Sequence, residues 1–109
     1  MDFNKYQALA RRTQNPNLSR DERRQHALFG LAAETGEILG IYQKRYQGHL
    51  VPVDRVIDEA SDLLWFVAEL CDVLDVDMDD VAQHNVDKLL ARFPSGFDPE
   101  RSIHRERYE

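Results

Sequence analysis

The sequence predicts an all-α fold, an antiparallel bundle of about four helices. Apolar residues recur at intervals of three and four along the long segments, which is the period of a helix with one buried face. Short runs containing proline, glycine or asparagine separate these segments, and we identify no strand. Long helices joined by short connections pack against one another in antiparallel order.

The first two helices have clear start and stop signals. The first helix is predicted from about Asp2 to Thr13, and residues 15–17 (Asn-Pro-Asn) end it. Ser19 offers an N-cap, and Glu22 three residues later completes a capping box for a second helix that continues to about Tyr46. The residues of the first helix expected to face inward are Phe3, Tyr6, Leu9 and Ala10.

The third helix is predicted to be the central and most buried element. Gly48 and Pro52 mark the loop before it, and it runs from about Val53 to Leu74 with apolar residues on more than one side. The single cysteine, Cys71, lies between leucines of this pattern and is interpreted as a buried, inert thiol.

The fourth helix begins at a predicted Asp77 cap and carries an apolar face of its own. Pro94 and Gly96 end this helix. The tail from Phe97 to Glu109 is charged, and we predict that it is extended.

The size and charge of the chain restrict its function. A length of 109 residues predicts a single domain over residues 1–109, with a core small enough to favour completion by self-association as a homodimer or homotetramer. The net charge of -6 argues against binding to nucleic-acid polymers or anionic membranes. The N-terminus lacks the apolar region of a signal peptide and no apolar run approaches membrane-spanning length, so we expect a cytoplasmic protein.

Two acidic pairs are the most informative feature of the sequence. Glu34 and Glu37, and likewise Glu59 and Asp62, stand three residues apart and therefore share one face of a helix. Such pairs are common on solvated faces, but both of these pairs are in register with the apolar stripe of a long helix. Four carboxylates buried together need a cation, and oxygen ligands alone suit Mg²⁺, with Mn²⁺ as an alternative.

Four segments in order resemble the MazG-like branch of the all-α nucleoside triphosphate pyrophosphohydrolases. Residues 30–37 (GLAAETGE) and 59–66 (EASDLLWF) are similar to the first and second motifs of that family. Residues 96–97 and 101–105 resemble the tail of small stand-alone, often phage-associated members. The third motif is matched by Asn85, Lys88, Leu89, Arg92, Phe93 and Pro94.

The resemblance implies hydrolysis of a nucleoside or deoxynucleoside triphosphate to the monophosphate and pyrophosphate by a metal-activated water. Its fullest motif has two adjacent glutamates, whereas this chain has Ala33 before Glu34, so the number of metal ions stays open. The metal and catalytic residues implied are Glu34, Glu37, Glu59 and Asp62, and the residue that acts as the base is left open.

The resemblance also implies substrate-binding residues. Asn85 and Lys88 are predicted phosphate ligands, with Lys44 as a weaker candidate. Arg92 is a further candidate, although it could instead pair with an acidic residue of the tail. Trp65 is a candidate for stacking on the base, although aromatic residues at helical spacing more often belong to a core.

Two other interpretations remain open at this point. One is a related all-α pyrophosphohydrolase of narrow specificity, for dUTP or phosphoribosyl-ATP. The other is a non-catalytic helical module for oligomerisation or metal binding. Acidic residues within an apolar stripe count against a pure scaffold, because burying them lowers its stability.

Overall fold

The computed structural model describes residues 1–105 and is helical, without a strand in that range. The all-α prediction is therefore confirmed. A 3₁₀ turn at Lys44–Gln47 follows the second helix. No helix within the described residues is long and apolar enough to cross a membrane. The five α-helices are α1 Phe3–Arg11, α2 Arg20–Gln43, α3 Val53–Val73, α4 Met78–Arg92 and α5 Pro99–Ile103.

The start of α2 is fixed by the predicted capping box. The Ser19 hydroxyl accepts a hydrogen bond from the Glu22 amide at 3.1 Å, and the Glu22 carboxylate accepts one from the Ser19 amide at 2.9 Å. The α-helical part of α2 ends three residues before the predicted Tyr46, because the last turn tightens into the 3₁₀ form. Gly48 then reverses the chain with a φ of 90°.

The helices α2 and α3 pack along each other in antiparallel order. His26 contacts Glu69, and Gly30, further along α2, contacts Phe66, which lies earlier in α3. The second half of α3 is buried between α1 and α2, whereas residues near its start are exposed. The predicted central helix is thus confirmed for its second half alone, and Cys71 is buried there as expected.

α1 is attached to α3 by apolar packing of the predicted inward residues Ala10 and Tyr6 and, in addition, by a polar network. Gln7 is the buried residue of α1 beside Ala10, while Phe3 and Leu9 are more than 40% exposed. Asp72 accepts hydrogen bonds from the side chains of Gln7, Arg11 and Gln14. Burial opposes the ionisation of Asp72, but these hydrogen bonds outweigh it, so its pKa lies below the ordinary value.

The start of α4 is held by α1. The amide of Met78 donates to Gln7 Oε1 at 2.8 Å, and the amide of Asp79 donates to Asn4 Oδ1 at 3.1 Å. Asp77 occupies the predicted cap position, but its side chain accepts no capping hydrogen bond. Beyond this attachment α4 leaves several large apolar residues exposed, namely Val81, Val86, Leu89 and Leu90.

The prediction that the whole tail is extended is wrong, because α5 lies within it. The Arg101 guanidinium donates hydrogen bonds to backbone carbonyls at the end of α4. The rings of Phe93 and Phe97 lie 5.6 Å apart between their centroids. These contacts give a short helix a surface to fold against. The rest of the predicted tail, residues 106–109, lies outside the described residues.

Candidate metal and substrate site

Three of the four predicted carboxylates meet between α2 and α3. Glu34 comes from α2, and Glu59 and Asp62 come from α3, one turn apart. One oxygen from each of these side chains lies within 4.8 Å of the other two. Antiparallel packing causes this arrangement, because it sets the acidic turn of one helix opposite the acidic turn of the other. Glu34 and Glu59 are partly buried, whereas Asp62 and Glu37 are exposed, so the expectation that all four carboxylates are buried is wrong.

Among the clustered carboxylates, Glu34 has a pKa that its surroundings raise well above the ordinary value. Its pKa is raised from 4.5 to about 7, first because its protonated form can hydrogen-bond to Glu59, and then because of burial and the negative charges of Glu59, Asp62 and Glu37. Its Oε2 atom is buried without a hydrogen-bond partner. The cluster therefore holds more negative charge than the protein alone neutralises.

The chemistry of the cluster fits a hard divalent cation. All of its candidate ligand atoms are carboxylate oxygens, which Mg²⁺ and Mn²⁺ prefer. Two oxygens bound to one Mg²⁺ lie at most about 4.2 Å apart. A spacing of up to 4.8 Å therefore needs small side-chain movements to close around an ion. A cation would also supply a partner for the orphan oxygen of Glu34.

Glu37 lies beside this cluster in a neighbouring cavity. The cavity has a volume of about 220 Å³ and is also lined by Ile41, Lys44 and Arg55. Lys44 was predicted as a phosphate ligand, and the structure places it next to a predicted metal ligand. Arg55 was missed by sequence reasoning, although its position one turn before Glu59 is a signal that could have identified it.

Comparison with known families agrees with this geometry. The family model of the MazG nucleotide pyrophosphohydrolase domain matches residues 23–97, more than half of the chain. The chain belongs to this family. No curated protein and no solved structure matched the chain. The matched MazG residues include most of α2 and all of α3 and α4, and hence all of the candidate carboxylates.

The candidate residues of the third MazG motif lie on α4, away from the acidic cavity. Asn85 lines a largely apolar cavity of about 300 Å³ together with Leu64 and Val67 of α3. Lys88 is exposed, and the backbone carbonyl of Arg92 accepts a hydrogen bond from Arg101. α4 packs chiefly against α1. None of Asn85, Lys88 and Arg92 lines the cavity that contains Glu37 and Lys44.

Trp65 is held in place by contacts within the MazG domain. Its indole nitrogen donates a hydrogen bond to the Thr13 hydroxyl at 2.8 Å, and its ring is nearly perpendicular to that of Phe66. The side chain is partly buried and packs against the core formed by α1 and α3. Trp65 is thus held in one orientation by its neighbours.

Proposed function

We propose that this MazG protein hydrolyses a nucleoside or deoxynucleoside triphosphate to the monophosphate and pyrophosphate with Mg²⁺. The observation that carries the proposal is the cluster of Glu34, Glu59 and Asp62 within the matched family residues. Water attacks the α-phosphorus, the bond from that phosphorus to the bridging oxygen breaks, and pyrophosphate leaves. Mn²⁺ has the same ligand preference and is expected to substitute for Mg²⁺.

The carboxylates perform two tasks in this proposal. Glu34, Glu59 and Asp62 would hold the cation, with Glu37 beside them. When bound, the cation neutralises the phosphate oxygens and stabilises the charge that develops on them. A carboxylate of this set accepts the proton of the attacking water, for which a pKa near neutrality, as at Glu34, is well suited. No covalent intermediate is required.

The phosphate chain is proposed to extend towards Lys44 and Arg55. Both cations line the cavity that contains Glu37, so they can meet phosphate oxygens next to the carboxylate cluster. A triphosphate has several anionic oxygens beyond those that a cation can contact, and cationic side chains are their natural partners. This assignment gives the substrate a direction along α2, with its phosphates towards the end of that helix.

A substrate panel tests the proposed function. The protein is incubated with each of the common NTPs and dNTPs, and with phosphoribosyl-ATP, in Mg²⁺, and pyrophosphate and orthophosphate are measured separately. Release of pyrophosphate with the monophosphate supports the proposal. Turnover restricted to dUTP or phosphoribosyl-ATP would support the narrow-specificity alternative, and no turnover on any substrate would favour a non-catalytic module.

The raised pKa of Glu34 predicts that metal binding is coupled to proton release. Since the folded pKa of about 7 lies above the ordinary 4.5, the stabilisation due to the bound proton is complete below pH 4.5 and disappears as the pH rises through 7. The metal-free protein should therefore lose stability across this window, while Mg²⁺ binding should strengthen. Melting temperatures measured from pH 4.5 to 8 with and without Mg²⁺ check this. An unchanged pH trend in Glu34→Gln would contradict it.

We further propose that a second copy of the chain completes the fold. The radius of gyration is 17.3 Å, against about 13 Å for a compact chain of this length. Large apolar residues are exposed on every long helix, including Phe29 on α2, Ile57 on α3 and Leu90 on α4. Apolar surface on this scale is typical of an obligate homo-oligomer. Association could also bring α4 of one copy to the carboxylates of another.

Sedimentation equilibrium tests self-association. The wild-type protein is expected to be a dimer or tetramer at micromolar concentration, because its folded monomer would expose too much apolar surface. Phe29→Glu, at a side chain that is 71% exposed, should dissociate it, whereas Gln25→Glu on the same helix should not. A stable folded wild-type monomer would contradict the proposal.

Lys88 is proposed to bind the phosphate chain and not the base. It is a flexible cation one turn from Asn85, and the phosphates are the strongly anionic part of any nucleotide. In the proposed oligomer, Lys88 on α4 of one copy would approach the phosphates bound at the carboxylates of another copy. The contact strengthens as charge builds on the leaving pyrophosphate, so Lys88→Ala should lower kcat on the order of 10²-fold. The loss should be equal for the four dNTPs, as steady-state kinetics will show. A reshuffled substrate preference, or an unchanged rate, would refute the role.

A further inference from the structure

A buried carboxylate outside the acidic cluster lacks a role in the proposed chemistry. Glu69 on α3 is completely buried, and its Oε1 atom lies 2.7 Å from Nδ1 of His26 on α2. Its second oxygen, Oε2, is buried without a hydrogen-bond partner. Burying a carboxylate with a single hydrogen bond costs stability, and a purely structural position would be filled at lower cost by an apolar residue.

This pair fixes the orientation of the His26 ring. Glu69 holds one nitrogen, and the rings of Trp65 and Phe66 contact the imidazole edge-on at centroid distances of 6.2 Å and 5.5 Å. Phe66 is itself packed against Gly30, and Trp65 is hydrogen-bonded to Thr13, just after α1. The His26 side chain nevertheless remains 48% exposed. A ring that is oriented on one side and open on the other is preorganised to meet a ligand.

The position of the pair along α2 determines which part of a bound nucleotide it could meet. His26 precedes Glu34 by eight residues on α2, which corresponds to about 12 Å along the axis. Lys44 lies on the opposite side of Glu34, towards the end of the helix. If the phosphates extend from the cluster towards Lys44, the sugar and base extend towards His26. The exposed imidazole then stands where the base ends.

The hydrogen-bonding state of the imidazole adds specificity. With the Nδ1 hydrogen directed to Glu69, Nε2 of the neutral ring is an acceptor. An acceptor pairs with the exocyclic amino group of cytosine or adenine. Uracil and thymine carry a carbonyl oxygen at the corresponding ring position. With these bases the imidazole acceptor would face another acceptor and remain unpaired. A polar site of this kind rejects the ligand that cannot pair with it.

We propose that His26 contacts the nucleobase and favours cytosine and adenine, whose exocyclic amino group can donate to it, with Glu69 as the positioning residue that holds its tautomer. The proposal rests on the proposed function, because it takes its direction from the phosphates at Lys44. It assigns a role to two residues that neither the acidic motifs nor the cation-lined cavity includes. Trp65 forms the wall beside the base in this arrangement.

Substrate ranking in matched variants tests the proposal. Wild-type kcat/KM should be higher for dCTP than for dUTP, and His26→Phe, which keeps an aromatic ring, should reduce that ratio on the order of tenfold. Glu69→Gln retains an acceptor for the Nδ1 hydrogen and should keep the ratio. Glu69→Leu should lose it. The double variant His26→Phe/Glu69→Leu removes both polar partners, so it tests the ratio even if His26→Phe alone unfolds.

Binding of the products gives an independent measurement. Trp65 is the single tryptophan of the chain, so its fluorescence reports on the surroundings of His26 without interference. Titration in Mg²⁺ should change this emission at lower concentrations of dCMP than of dUMP, and His26→Phe should remove the difference. A wild-type preference for dUTP, or a dCTP to dUTP ratio that His26→Phe leaves unchanged, would overturn the assignment of His26 alone. Failure of every nucleotide to release pyrophosphate would overturn the proposed function and this assignment with it.

Discussion

Glu59→Gln is expected to abolish Mg²⁺-dependent turnover, with a loss on the order of 10²–10³-fold, while the protein stays folded. Glu59 contributes an oxygen to the carboxylate cluster and is the first cause of the raised pKa of Glu34. A neutral amide is a weak ligand for Mg²⁺. Removing one negative charge also relieves repulsion in the cluster, so the metal-free variant should melt at the same or a higher temperature than the wild type.

Neighbouring substitutions make this test specific. Asp58→Asn changes an exposed acidic residue next to Glu59 that is not part of the cluster, and it should leave turnover near the wild-type rate. Glu37→Gln is expected to abolish turnover as well, through the carboxylate beside Lys44. Near-normal Mg²⁺-dependent activity in Glu59→Gln or Glu37→Gln would show that the metal site is assigned wrongly.

Gly30→Ala is expected to destabilise the protein by about 1–3 kcal/mol. A methyl group at Gly30 would lie 2.2 Å from Cε1 of Phe66, with two further ring atoms within 2.4 Å. The ring is rigid and is confined by Trp65 and His26, so it cannot move aside without disturbing α3. This cost exceeds the gain of about 1 kcal/mol that alanine normally brings to a helix interior. Chemical denaturation measures the change in unfolding free energy.

The same helix supplies the matched control. A methyl group at Gly36 would meet nothing within 4 Å, so Gly36→Ala should stabilise the fold by about 0.5–1 kcal/mol. Replacing Phe66 by leucine in the Gly30→Ala background should recover part of the lost stability, because the ring atoms in the way are removed. Equal effects of the two alanine substitutions would mean that helix propensity, and not the contact with Phe66, governs both.

The sequence was sufficient to predict α2, α3 and the three clustered carboxylates, because these features depend on local periodicity. The Ser19 capping box and the acidic spacing are relations between residues three positions apart, which a helix turns into fixed geometry. Two helices joined by a short loop then have few ways to pack. The opposition of Glu34 to Glu59 follows from that connection.

Features that depend on distant partners could not be predicted in this way. Gln7 is polar and reads as a surface residue, yet it is buried because Asp72 and the start of α4 supply its hydrogen bonds. His26 has no recognisable role in the sequence pattern, since nothing in that pattern indicates that Glu69 lies beside it. The helical turn within the tail likewise depends on contacts with the end of α4.

The attachment of α4 to α1 shows that the folded unit is larger than the part of the chain that the family model matches. The MazG match begins at residue 23, after α1, but the amides that open α4 at Met78 and Asp79 bond to α1 side chains. Without α1, Asp72 would also lose its hydrogen-bond partners Gln7 and Arg11. The segment that matches the family model is thus held in place partly by an earlier segment that the match does not include.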